Sequence, residues 1–191
     1  MASRTWTLDP AHTSVELSVR HMMFTKVRGR FDDVEGTLEV DEERPDRSKV
    51  HVQIGTASID TGVGDRDKHL RSADFLDADK HPTLTFESKR IEGAVDQEGD
   101  RFRVVGDLTI RGTTREVTLD VVYAGRRRDP WGNQRAGFEA TTKIDRREWG
   151  LTWNQSLETG GILVGNEVSI ELGVQAVLKE AGEREEAHAM A

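Results

Sequence analysis

The sequence contains no cysteine among its 191 residues, so it can form neither a disulfide framework nor a thiolate metal or redox site. Proline is also scarce, with only four residues, and no apolar stretch approaches the length of a membrane-spanning helix. The opening residues, from Met1 to Trp6, lack the apolar core of a secretory signal. Together these absences predict a protein of the cytoplasm.

The net charge of −8 argues against binding to duplex nucleic acid, because such binding needs a basic surface that displaces phosphate counterions. Basic residues cluster locally at Arg126, Arg127 and Arg128, just before the turn signal Asp129-Pro130. A solvated hairpin loop is the simpler interpretation of this cluster. A transient contact with a membrane surface is the alternative.

Apolar and polar residues alternate through about eight successive segments, as in Val15, Leu17 and Val19 against Glu16 and Ser18. Side chains on a strand point alternately to opposite faces, so each segment has one dry face and one wet face. Closing such a sheet on itself hides the dry side and removes exposed edges. The pattern predicts an all-β fold, a closed eight-stranded barrel. A barrel of this size either just fills with side chains or holds one small ligand.

Two connections break the alternation and are predicted to contain short helices. The first covers residues 22–30 and the second residues 64–76, where Asp65 and Asp67 give the helix an acidic first turn. Residues 1–180 are expected to form a single domain, because no strong break in composition divides them. The Glu- and Ala-rich residues 181–191 are expected to form a flexible acidic tail.

Several predicted inward positions have small side chains instead of large ones. They are Gly36, Ser88, Gly106, Ala140, Thr142 and Ala176. A packed core fills its space with larger apolar residues, so small residues spread over different strands favour an unfilled cavity. The alternative, that large neighbours reach across these positions, stays open.

The wall of the predicted cavity is apolar and draws on every strand of the pattern. Its predicted members are Val15, Leu17, Val19, Leu38, Val52, Ile54, Leu84, Phe86, Phe102, Val104, Leu108, Val117, Leu119, Phe138, Ile170 and Leu172. Such a wall suits a long, flexible apolar ligand, since each buried methylene contributes about 0.8 kcal/mol without any hydrogen bond. Discrimination of chain length should be poor, because an added unit only needs room.

The polar head of such a ligand is predicted to meet one of three cationic or ionisable side chains. His21 ends the inward face of the first long strand, while Arg66 and His69 lie on the polar helix beside one end of the barrel. For each of them a solvated position is the simpler alternative.

Motifs of catalysis are missing from the sequence: it has no Gly-rich phosphate loop, no HExxH pair and no nucleophile elbow. His12 and His21 differ in strand parity and are not expected to share a metal. The leading hypothesis is a non-catalytic binding protein without cofactor or metal. Two alternatives stay open: an isomerase or cyclase, which would need an inward acid or base, and a stress-related dimer whose barrel is filled by its own side chains.

A series of motifs resembles the YceI-like family over roughly residues 5–179. In chain order they are Trp6-Thr7-Leu8-Asp9, His12-Thr13-Ser14-Val15, Val19-Arg20-His21, Ser58-Ile59-Asp60-Thr61, Arg66-Asp67, His69-Leu70, Asp74-Phe75-Leu76-Asp77, His81-Pro82, Phe86-Glu87-Ser88, Gly106-Asp107-Leu108-Thr109-Ile110, Gly112-Thr113-Thr114, Ile144-Asp145-Arg146, Trp149-Gly150-Leu151, Trp153-Asn154 and Val164-Gly165-Asn166-Glu167-Val168.

This resemblance implies an extended antiparallel, lipocalin-like eight-stranded barrel whose hydrophobic tunnel binds polyisoprenoid lipids, such as an isoprenoid quinone or a polyprenyl phosphate. Family members are often periplasmic with a cleavable signal, from which this sequence departs. A homodimer is common in such proteins, although no residue of this sequence fixes it.

Overall fold

The structure is a computed structural model that describes residues 3–180. The predicted acidic tail, residues 181–191, lies outside the described residues. Residues 3–180 contain eleven strands, one α-helix and four short 3-10 turns. The strands and the helix are β1 (Arg4–Leu8), β2 (Ser14–His21), β3 (Thr25–Phe31), β4 (Val34–Val40), β5 (Lys49–Gly55), β6 (Ile59–Asp60), α1 (Gly64–Arg71), β7 (Thr83–Glu92), β8 (Arg101–Ile110), β9 (Thr113–Arg128), β10 (Gln134–Asp145) and β11 (Val164–Leu178).

Eight strands form a closed antiparallel barrel in the order β1-β4-β5-β7-β8-β9-β10-β11. The barrel closes where β1 pairs with the end of β11, with Trp6 opposite Leu178. This confirms the predicted all-β barrel. Closure leaves no free edge along these strands, and it gives every inward side chain of the ring a place on one common interior.

Three further strands extend the sheet beyond the ring. β2 pairs with the first part of β11, β3 pairs with β2, and β6 pairs with β3. His21, the last residue of β2, lies opposite Val164, the first residue of β11. The β2–β3 hairpin therefore projects at the end of the barrel where β11 begins.

The helix predicted in residues 64–76 is confirmed as α1, whose first turn contains Asp65 and Asp67. The helix predicted in residues 22–30 is wrong, because this segment forms a tight turn and then β3. The chain reverses within four residues, closed by a hydrogen bond of 3.0 Å from the Phe24 N–H to the His21 carbonyl. No helix within residues 3–180 is long and apolar enough to cross a membrane.

A charged network joins the end of β1 to the β9–β10 hairpin. Arg135 donates to Asp9 at 2.6 Å and to Asp129 at 2.9 Å, and His12 lies 2.8 Å from Asp9. Hydrogen bonds from Arg135 and then from His12 lower the pKa of Asp9 to about 2. Burial opposes the ionisation of Asp129, yet hydrogen bonds from Arg135, from Asn133 and from backbone N–H groups lower its pKa to about 2.

Replacing Asp9 by asparagine is expected to destabilise the fold by about 1–2 kcal/mol at neutral pH, because the carboxylate accepts a charged hydrogen bond in a largely buried position. The folded-state pKa of Asp9 is lowered, so the ionised carboxylate stabilises the fold above pH 3.8, and this contribution is lost as the pH falls towards about 2. The difference between Asp9→Asn and the native protein should therefore shrink in acid, as measured by urea unfolding across that range.

The matched control is Asp46→Asn, which removes an exposed ion pair with Arg44. Exposed pairs contribute little, so this variant should follow the native protein at every pH. Equal pH dependence for Asp9→Asn and the native protein would contradict a stabilising role for the Asp9 carboxylate.

Candidate functional site

An elongated cavity of about 640 Å³ lies inside the barrel. This volume is within the range of pockets that hold small-molecule ligands, about 300–1,000 Å³. Every apolar residue predicted for the wall, from Val15 to Leu172, lines this cavity. Their contact with a lipid stays a prediction.

The strand period explains why the sequence placed the wall correctly. Along β10, Phe138, Ala140 and Thr142 line the cavity, whereas Glu139 and Thr141 between them are exposed. A strand with one face buried cannot slip by one residue without turning its whole apolar set towards water. The wall is therefore fixed by the alternation alone.

Of the six small inward residues, two line the cavity, whereas Gly36, Ser88, Gly106 and Ala176 do not. Ala140 and Thr142 line the cavity, as the cavity hypothesis requires. At Gly106, however, an added Cβ would overlap the Glu87 carbonyl oxygen and would lie 2.6 Å from the Phe86 ring. At Gly36 a Cβ would lie 2.9 Å from Leu8. At both glycines a large neighbour crosses the position, so the alternative interpretation holds there.

One end of the cavity, the charged end, is bordered by ionisable side chains from the β4–β5 and β7–β8 connections and from the strands β5 and β9. They are Asp41, Glu42, Lys49, Asp96 and Arg126. All but Asp41 are exposed to solvent. Because these wall residues also face water, the charged end is the mouth of the cavity.

Arg126 links the rim of the mouth to the apolar wall. It donates to Glu42 at 2.9 Å, and its guanidinium lies 5.2 Å from the centre of the Trp6 ring. Trp6 is only 1% exposed and lines the cavity below it. The guanidinium of Arg126 therefore covers the Trp6 ring in a cation–π contact, and at the same time it is hydrogen-bonded to the exposed Glu42.

The opposite end, the helical end, is covered by α1 and by the residues that follow β10. Phe75 and Leu151 are buried and line the cavity there. Trp149 is 1% exposed and donates from Nε1 to the Leu108 carbonyl at 2.9 Å. Phe75 also contacts Trp153, with ring centres 5.3 Å apart. Aromatic packing thus closes this end of the barrel.

Arg146 is the charged residue of the helical end, and it is buried. Its guanidinium donates to the carbonyls of Leu151, Trp153, Gly165 and Val164, at 2.7, 2.9, 2.9 and 3.3 Å. Burial lowers the pKa of this guanidinium from its ordinary value, and the nearby charge of Asp145 acts in the opposite direction. Arg146 therefore ties both ends of the 151–165 segment to the barrel through backbone oxygens.

None of the three predicted head-group residues borders the cavity. His21 is exposed, because it lies at the projecting end of the β2–β3 hairpin. Arg66 donates to the side chain and carbonyl of Thr61, at 2.7 and 2.9 Å. His69 lies 2.9 Å from Asp74, and its ring packs on Phe75 and Trp153. The structure places all three outside the wall, at or near the helical end and away from the mouth.

The sequence reasoning missed both Arg146 and the charged end. Arg146 directly follows the inward Ile144 and precedes a segment rich in tryptophan and glycine, which was the available signal for a buried cation. The residues of the charged end belong to two connections and two strands that are far apart in the sequence, so no local pattern could bring them together. Within residues 3–180, no group of three or more His, Asp or Glu side chains is placed to hold a metal ion.

The amino-acid sequence is similar to those of a known family and of several of its members. The YceI-like domain family matches residues 6–176. Protein YceI of Escherichia coli O157:H7 is 43% identical over 140 residues, which are 73% of this chain and 71% of that protein. A UPF0312 protein of Serratia proteamaculans is 43% identical over 141 residues, which are 74% of this chain and 71% of that protein.

Solved structures are similar as well. The YceI protein of Campylobacter jejuni matches with a TM-score of 0.69 and 29% identity, covering 84% of this chain and 90% of that one. A polyisoprenoid binding domain from Saccharophagus degradans matches with a TM-score of 0.63 and 13% identity, covering 91% and 98%, which shows the shared fold alone. The closed eight-stranded barrel, the order of the motifs and the match over residues 6–176 show that this chain belongs to the YceI-like family.

Proposed function

We propose that this protein binds a long-chain isoprenoid-type lipid inside its barrel and carries or sequesters it without catalysis. The observation that supports this most directly is the elongated apolar cavity of about 640 Å³. The Saccharophagus degradans domain with the same fold is described as polyisoprenoid binding. An isoprenoid quinone and a polyprenyl phosphate are the two lipid classes under consideration.

The wall supplies enough apolar contact for binding without a polar anchor. Burial of roughly ten methylene equivalents contributes about 8 kcal/mol, which corresponds to micromolar affinity before the cost of ordering the chain. Affinity should therefore depend on the apolar surface that the chain buries more than on the chemistry of the head.

The geometry of the two ends suggests an orientation for the ligand. The tail would lie towards Phe75 and Leu151, whereas the polar head would lie at the charged end, near Lys49 and Arg126. A polar head stays hydrated at the mouth, while a head at the helical end would have to displace the aromatic packing. This orientation replaces the earlier expectation based on His21, Arg66 and His69.

The ionisable groups favour binding over an isomerase or cyclase activity. Of the residues described, the carboxylates that border the cavity are Glu16, Asp41, Glu42 and Asp96, and none of them is buried. Arg146, the buried cation of the wall, is engaged with backbone carbonyls. A general acid or base inside the cavity would need a titratable group close to a bound substrate.

Native mass spectrometry of the purified protein tests this proposal. After incubation with an isoprenoid quinone or with a polyprenyl phosphate, we expect a complex of one lipid per chain with at least one of them, and organic extraction should recover it intact. Inorganic phosphate and a quinone without a side chain serve as controls and should not bind. Recovery of free protein alone after every incubation would contradict the proposal, and recovery of an altered lipid would favour an enzyme.

The third alternative, a stress-related dimer with a filled barrel, requires an interior without space for a ligand. The cavity disfavours it. A homodimer of the lipid-binding form and a location in the cytoplasm stay predictions.

A further inference from the structure

The turn between β2 and β3 exposes three consecutive large apolar side chains. Met22, Met23 and Phe24 are 40%, 62% and 80% exposed, and we call these three residues the apolar tip. Single exposed apolar residues are common on protein surfaces, but contiguous ones mark interaction sites. The apolar tip stands at the end of a hairpin that projects past the ring of the barrel.

The backbone conformation of the apolar tip is unfavourable for methionine. Met22 and Met23 have φ values of 50° and 65°, in the left-handed region, at the two central positions of the hydrogen-bonded turn from His21 to Phe24. Asn-Gly suits such a turn best, and a long side chain is disfavoured there. These side chains are apolar but exposed to water, and their backbone conformation is unfavourable for them. Both features indicate that the side chains themselves have a function.

Cations flank the apolar tip on the outward face of the hairpin. Arg20 lies directly opposite Lys26, and Arg28 lies two residues further along β3. Like charges opposite each other destabilise a pair of strands. Within residues 3–180, Arg20, Lys26 and Arg28 form no ion pair, while Asp32 and Asp60 pair with Arg30 instead. These three cations without ion pairs stand nearest the apolar tip, and the carboxylates of the same face, Glu16 and Glu171, lie further along the strands.

The basic cluster noted in the sequence differs from this hairpin. Arg126 and Arg127 both pair with carboxylates, Glu42 and Glu98, each at 2.9 Å. Its hairpin exposes one large apolar residue, Trp131, which is 82% exposed. This second hairpin lies at the other end of β11, so the two surfaces can be tested separately.

We propose that the apolar tip and its flanking Arg20, Lys26 and Arg28 dock on the interface of an anionic lipid bilayer. The three apolar side chains would enter the boundary between head groups and acyl chains, and the three cations would contact the lipid phosphates. An apolar insertion flanked by basic residues is the chemistry that binds such surfaces. Docking does not require a loaded cavity, so it goes beyond lipid binding and can fail independently of it.

Sedimentation with vesicles tests the docking surface. The full chain should bind vesicles of equal parts phosphatidylcholine and phosphatidylglycerol, bind pure phosphatidylcholine more weakly, and lose affinity at high salt.

The variant Met22→Asn/Met23→Gly/Phe24→Thr should bind the anionic vesicles at least about tenfold more weakly than the native chain. Because Asn-Gly suits the turn, this variant should fold at least as well as the native chain, and its unfolding curve checks that. The variant Arg20→Gln/Lys26→Gln should lose roughly tenfold in affinity for the anionic vesicles only.

The control is Trp131→Gln in the second hairpin, which should bind like the native protein. Three results would overturn the proposal. They are no sedimentation of the native chain with anionic vesicles, unchanged binding by Met22→Asn/Met23→Gly/Phe24→Thr, and loss of binding by Trp131→Gln alone. If the native chain is a dimer, ignores vesicles, and becomes a monomer when the apolar tip is replaced, then the tip is an interface between two copies.

Discussion

Replacing Ala140 by phenylalanine is expected to abolish uptake of a long-chain lipid while leaving the barrel folded. Ala140 lines the cavity from β10, opposite Leu172 of β11 and Val121 of β9. A phenyl ring at this position would occupy space that the lipid chain needs. In a closely packed interior the same change would cost about 1–3 kcal/mol of stability. Native mass spectrometry with the lipid, together with urea unfolding of the lipid-free protein, measures both effects.

The neighbouring residue provides the control for this substitution. Thr141 lies on the same strand but is exposed on the outer face, so Thr141→Phe adds the same ring outside the barrel. It should bind lipid like the native protein. Equal uptake by Ala140→Phe and Thr141→Phe would show that the lipid chain does not pass through the middle of the cavity.

Replacing Arg146 by methionine is expected to lower the free energy of unfolding by about 3 kcal/mol. This is a large effect for one substitution, because it removes a buried hydrogen-bond network. Methionine has a similar length but cannot donate a hydrogen bond. The carbonyls of Leu151, Trp153 and Gly165 would lose this donor in a buried region, whereas the Val164 carbonyl keeps a hydrogen bond from the Asn154 amide at 2.7 Å. Hydrogen exchange in residues 151–165 should rise more than in the barrel strands, because this segment depends on Arg146 for its attachment.

Arg147 is the matched control, since it follows Arg146 directly but is exposed and donates to Asp145 at 2.6 Å. Such an exposed pair contributes little, so Arg147→Met should change stability only slightly. A similar effect of both substitutions would contradict the structural role of Arg146. Loss of lipid binding by Arg146→Met without loss of stability would assign this residue to the ligand instead.

The wall of the cavity could be predicted from the sequence because a period of two residues decides which side chains share a face. Nothing beyond the alternation was needed for Val104, Leu119 or Ile170, which all line the cavity. His21 shows where this reasoning ends: its parity is inward, but it is the last residue of β2, at the projecting end of the β2–β3 hairpin. Parity gives the face of a strand and not the position of the barrel's end.

The ends of the barrel could not be predicted, because they depend on contacts between segments far apart in the chain. Arg146 makes its hydrogen bonds across the 151–165 connection, and Arg126 of β9 reaches Glu42 in the β4–β5 connection. The turn at Met22 and Met23 was also missed, since its left-handed backbone normally calls for Asn and Gly. Because Met22 and Met23 are unusual residues for such a turn, the sequence alone favoured a helix in this segment.

The most direct measurement is a crystal structure of the protein loaded with a long-chain lipid that has a bromine atom at the end of its tail. We expect continuous electron density along the interior, with the anomalous peak near Phe75 and Leu151 and the polar head at the charged end. Bromine peaks on the outer surface only, or a lipid-free structure in which opposite walls meet and leave no continuous space, would contradict a lipid-binding cavity.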